Sequence, residues 1–219
     1  MTLRVQPSDL EIAALISSKI CHDAINPVSA ISHGLQMLDD ESDGDNHKFA
    51  LDMIRNVTAQ ASARIEFARV AFGASGAPSV PVDLGKAADV VSRYVTPPDA
   101  GSRKKHRLAW KVPAVMIAKD KGKLLLNMVA AAISVLPRGG EIQATMTGTP
   151  ERPTFVVRCV GTGAKVPEAL AHVLAGTEAD LDAMNIQYYY MQRLTGLAGM
   201  VLDVVRDGAD VILAARMAA

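Results

Sequence analysis

His22, Asp23, Asn26 and Pro27 fall within one short run, Lys19-Ile20-Cys21-His22-Asp23-Ala24-Ile25-Asn26-Pro27. A helix advances about 100° per residue, so residues four apart stack on one face, one turn from each other. His22 and Asn26 are then stacked neighbours, and Asp23 stands beside the imidazole. That arrangement suits an imidazole whose ring nitrogen acts as an exposed nucleophile toward phosphorus. A free imidazole titrates near pH ~6.5, so much of it is neutral and nucleophilic at neutral pH. His22 lies about 200° around the helix from Ile20, a residue of the apolar stripe, and is therefore expected to face solvent.

The elements that must hold this group are set by the hydrophobic periodicity. A helix opens at Ser8-Asp9-Leu10-Glu11, which has the spacing of a capping box. Its apolar stripe is Ala13, Ile16, Ile20, Ala24, Val28, Ile31, Leu35 and Leu38. Some thirty residues of helix span about 45 Å, a length that suits a bundle. Pro27 is expected to bend it one turn past His22. The acidic run from Asp39 to Asp45 reads as a solvated turn, since it lacks the ligand spacing of a calcium loop. A second helix from about Asn46 to Phe72 carries the stripe Ala50, Ile54, Val57, Ala61, Ile65, Ala68 and Phe72. One such hairpin cannot enclose a core. Two hairpins in a homodimeric four-helix bundle can, and packing against the rest of the chain is the alternative.

The small residues from Gly73 to Pro81 mark a domain boundary, dividing residues 1–74 from 82–219. Beyond it, helices are expected over 84–94, 121–136 and 188–196. Strands are expected over 107–112, 141–147 and 154–160, with a terminal hairpin around Asp207-Gly208-Ala209. Helices beside a mostly antiparallel sheet make an α+β domain.

Composition excludes several classes of function. Lys+Arg and Asp+Glu are both 23, and the absent basic surplus argues against nucleic-acid binding. Hydrophobic residues are 49% of the 219, enough for a sizeable core. Cys21 and Cys159 are far apart and flanked by apolar residues, so they read as reduced, buried thiols. His47, His106 and His172 are isolated, with no metal-ligand spacing. The N-terminus lacks an apolar signal core, and no apolar run reaches the roughly 18 residues of a membrane span. A soluble, cytoplasmic protein is expected.

His-Asp-x-x-Asn-Pro on the first helix of a hairpin resembles the phospho-accepting box of dimeric sensor histidine kinases. The later elements also resemble, in their order, the ATP-binding (Bergerat) domain of those kinases: a helix over 120–133, a Gly139-Gly140 turn, then strands around Ile142 and Val157. The resemblance implies a dimeric four-helix bundle and, after it, an α/β sandwich. Three features of the ATP site differ. The second Asn of the kinase helix, which holds magnesium, corresponds to Ala131, and Asn127 matches only the earlier one. Gly161-Thr162-Gly163 keeps the glycines of the adenine motif, but Cys159 takes the place of its Asp, and a thiol is a weak acceptor. Where a glycine-rich phosphate loop should precede the next helix stand Tyr188, Tyr189 and Tyr190, whose bulk keeps backbone amides from a triphosphate.

An intact accepting box with a degenerate ATP site resembles the ChpT family of alphaproteobacterial phosphorelay histidine phosphotransferases. The resemblance implies that phosphate passes from a receiver aspartate on a hybrid kinase to His22, and then to a downstream response-regulator receiver. It implies no nucleotide or metal on this chain, with magnesium supplied by the receiver. Asp23 then either orients the ring or only makes a salt bridge. Asn26 either hydrogen-bonds the phosphoryl group or a water, or is an ordinary surface residue. Ser18, Asn26, Ser29 and His33 share the side of His22 and are docking candidates. Lys19 and Arg64, with Arg69, are candidate cations for an acidic receiver pocket, although solvated basic side chains are common. Two other readings remain open at this point: an active kinase with an atypical ATP site, and a non-catalytic adaptor that docks on receivers.

Overall fold

The structure, a computed structural model, describes residues 7–39, 44–73, 80–96, 106–177 and 181–218. The acidic turn at 40–43 and most of the small-residue linker, 74–79, lie outside the described residues. Two long helices come first: α1 (Asp9–Asp39) and α2 (Gly44–Ala71). Ser8 caps α1 reciprocally. Its hydroxyl accepts from the Glu11 amide at 3.3 Å, while the Glu11 carboxylate accepts from the Ser8 amide at 2.8 Å. α1 continues through Pro27, which is buried.

The helices pack closely where side chains are small. A Cβ at Gly34 would lie 2.5 Å from Ile54 Cγ1. Only glycine lets α2 approach this closely here. The buried positions of α1 are Ile12, Lys19, Pro27 and Gly34. That seam is rotated from the expected stripe, because α1 carries two apolar faces. Val28 and Leu35, members of the expected stripe, remain 53% and 51% exposed on the second face. On α2 the buried residues are Ala50, Ala61, Ala63, Phe67 and Ala71. Ile65, expected inside, is 52% exposed, and Phe67 takes the inward position. Cys21 is exposed, contrary to expectation, since it stands on the outer side of α1 next to His22.

The remainder is a two-layer α/β sandwich, so the chain as a whole is α+β. Its elements are β1 (Val82–Asp83), α3 (Leu84–Val95), β2 (His106–Lys111), β3 (Met116–Ile117), α4 (Lys119–Val135), β4 (Gly140–Gly148), β5 (Pro153–Val160), α5 (Glu168–Ala175), α6 (Ile186–Leu197), β6 (Met200–Asp207) and β7 (Asp210–Met217). The main sheet has the order β2-β4-β5-β7-β6, with β2 parallel to β4 and every other pair antiparallel. β4, β5 and β7 alternate buried and part-buried residues, as expected when one face of a sheet is covered. α4 lies on that face and is buried almost all round, from Gly122 to Ala132. Phe155, Val157, Ile142, Leu213, Leu126 and Met191 are completely buried in this core.

The kinase-like glycines keep a structural reason for being glycine. Gly140 has φ +148°, and a Cβ there would meet the Val160 carbonyl at 2.4 Å. At Gly161 a Cβ would meet the Gly139 carbonyl at 2.7 Å. The turn before β4 and the end of β5 therefore touch backbone to backbone.

The sheet domain grips the hairpin through α2. Phe67 stacks on Tyr94 of α3 with centroids 3.9 Å apart, and Glu66 pairs with Arg93 at 2.6 Å. α1 is tied to α6 by Asp9 and Arg193 at 3.5 Å.

Candidate functional site

His22 stands on α1 with its side chain 51% exposed. Its Nδ1 is 3.6 Å from Asp23 Oδ1. That is longer than a hydrogen bond and close enough for direct attraction. Asp23 is itself held at two points. Lys19, one turn earlier on α1, places Nζ 3.1 Å from Asp23 Oδ2, and Arg64 of α2 donates from Nη1 to the Asp23 carbonyl oxygen at 3.2 Å.

Lys19 is only 8% exposed, in the seam between α1 and α2. Reading it as a cation that greets a receiver is therefore corrected: a buried ammonium paired within its own helix presents no docking charge. Arg64 is part-buried and spends a donor on α1. Ser18, Asn26, Ser29 and His33 are all exposed on α1, as their spacing predicts. They sit above and below His22 in one strip.

Tyr94 belongs to the surroundings of Asp23, and sequence reasoning missed it. Burial first, and then the Asp23 carboxylate, push its phenol up to about 12, while Arg64 pulls the other way. The sheet domain thus reaches the acidic neighbour of the histidine through α3. No local pattern marks this, because residues 23, 64 and 94 meet only through tertiary packing. The Lys19–Asp23 pair, by contrast, has the i to i+4 spacing that sequence can show.

The residues that would line a kinase nucleotide site are used for packing. Asn127 is fully buried; its Nδ2 donates to the Lys123 carbonyl at 2.9 Å and to the Ala71 carbonyl at 3.3 Å, joining α4 to the end of α2. Lys123 donates to the Phe72 carbonyl at 3.3 Å and to the Tyr190 hydroxyl at 3.4 Å. Burial lowers its pKa. Gln187 of α6 donates to the Asn127 carbonyl at 3.5 Å. Ala131 is buried, and Cys159 is a fully buried thiol pushed up to about 12 by desolvation. Tyr190 packs against Phe72 with centroids 5.4 Å apart. The Asn127 amide nitrogen is thus spent on backbone carbonyls, while its Oδ1 is buried with no hydrogen-bond partner among the described residues. Among the described residues no His, Cys, Asp or Glu cluster could hold a metal ion.

Residues 84–210 match the model of the histidine phosphotransferase C-terminal domain family. The chain belongs to that family of phosphotransfer proteins. It is 35% identical over 217 residues to the protein phosphotransferase ChpT of Brucella abortus (strain 2308), covering 98% of this chain and 100% of that one. It also superposes on a solved bacterial phosphotransferase with a TM-score of 0.86 and 34% identity, over 98% of this chain and 100% of the other.

Proposed function

We propose that the chain is a protein histidine phosphotransferase of a phosphorelay, with His22 as the residue that carries the phosphoryl group. The observation that supports this most is the exposed imidazole of His22 beside a carboxylate pinned by Lys19. A neutral ring nitrogen attacks the phosphorus of a receiver aspartyl phosphate. The N–P bond forms, the P–O bond breaks, and the receiver aspartate leaves as carboxylate. The ring gains positive charge as the bond forms, and Asp23 next to Nδ1 stabilises it. The second transfer is the same step in reverse onto another receiver.

Positioning and charge stabilisation carry phosphoryl transfer, so this chain needs to supply little more than a rigid nucleophile and a docking face. The receiver supplies its own magnesium. The exposed strip of Ser18, Asn26, Ser29 and His33 is the docking face on this reading. The second apolar face of α1, with Val28 and Leu35, packs against a second copy of the chain as a four-helix bundle. Among the described residues no helix is long and apolar enough to cross a membrane.

Incubation with a phosphorylated receiver should label the chain within seconds to minutes, and ATP alone should leave it unlabelled. Label acquired from ATP alone would favour a kinase instead. Receiver binding that is unchanged in H22A, with no label in either protein, would favour an adaptor.

A further inference from the structure

Lys19 is the one lysine of α1, and it is 8% exposed in the helix–helix seam. Burying an ion pair costs desolvation energy, and a well-packed apolar pair in place of both partners is often as stable or more so. Stability therefore does not by itself call for a charged Lys19–Asp23 pair here. The position of Lys19 supplies a reason: Nζ is 3.1 Å from Asp23 Oδ2, leaving Oδ1 as the oxygen that faces His22 Nδ1 at 3.6 Å. The Arg64 bond to the Asp23 carbonyl fixes the backbone beneath, and the Tyr94 phenol is near enough to feel the Asp23 charge. Among the described residues, the charged and titratable groups that interact with Asp23 include Lys19 and His22 of α1, Arg64 of α2 and Tyr94 of α3.

A neutral imidazole has one protonated and one bare nitrogen, and the partner of one nitrogen decides the state of the other. We propose that Lys19 is a positioning residue, which turns Asp23 so that it holds the proton on His22 Nδ1 and leaves Nε2 bare as the nucleophile. This rests on the reading of His22 as the phosphoryl carrier. It concerns a residue that touches neither phosphate nor receiver.

The tautomer is read from two-bond nitrogen–proton couplings in protein labelled with 15N-histidine. Wild-type neutral His22 should carry its proton on Nδ1. K19M should move the proton toward Nε2 and slow transfer from a phosphorylated receiver about tenfold, the scale on which such supporting partners act. Removing one partner of the pair should also lower the thermal midpoint, so the deciding readout is the tautomer, which a merely structural lysine would not move. K19R should restore both the tautomer and the rate. A wild-type ring protonated on Nε2, or a K19M protein with unchanged tautomer and rate, overturns the proposal. Should wild-type His22 accept no phosphate at all, the functional reading fails, and the tautomer comparison still decides whether Lys19 sets the ring.

Discussion

The two thiols of the chain separate exposure from burial residue by residue. Cys21 stands exposed beside His22, whereas Cys159 is fully buried in β5, with its thiol held far from ionisation. Thiolate is the reactive form, so a maleimide or disulfide reagent should modify one equivalent quickly in the native protein. The second equivalent should react only on unfolding. Two fast equivalents would mean that β5 opens easily, contrary to the packing. Because Cys21 adjoins His22, the modified protein should also dock and transfer more slowly.

At the scale of elements, α1 has three faces with three tasks. One carries Ile12, Pro27 and Gly34 against α2, one carries His22, and one carries Val28 and Leu35 into solvent in the single chain. Burial of the last face by a second copy predicts that V28D combined with L35D yields a monomer by light scattering, while the helical signal in circular dichroism persists. A double variant that stays dimeric would place the interface elsewhere. The helices, main strands and exposed side of His22 were legible in the sequence because each is written in local periodicity. The face that α1 turns to α2 was not. A seam of glycine, proline and a buried lysine carries no hydrophobic signature, and the bulkier apolar residues point to the other face. α5 was missed too. Its eight residues, Glu168–Ala175, make only about two turns, too few for an apolar stripe to repeat.

At the scale of the whole molecule, the sheet domain holds the end of the helical hairpin. Asn127 and Lys123 donate to the end of α2, Tyr94 stacks on Phe67, and Arg93 pairs with Glu66. Sequence could show that the nucleotide residues were altered. It could not show that Asn127, Lys123, Tyr94 and Arg93 grip the hairpin, since those contacts join segments far apart along the chain. The packing predicts a pH dependence. Burial raises Cys159 from 9.0, and Tyr94 and Tyr190 from 10.0, each to about 12. Groups with raised folded values bind protons more tightly in the folded state. Their stabilising effect is complete below the unfolded values and is lost as pH climbs toward the folded ones. The urea midpoint should therefore fall between about pH 9 and about pH 12, and Y94F should flatten part of that fall. A midpoint that is level over this range would show these groups to be solvated.

One atom-level event lies at the centre of all this, transfer of phosphate to the ring at position 22. Peptide mapping of the chain after mixing with a 32P-labelled receiver, under alkaline conditions that preserve a phosphoramidate, tests it most directly. The predicted result is an acid-labile label on the peptide that contains His22, and no label in a folded H22A protein. Label on any other residue, or label that survives in H22A, would contradict it.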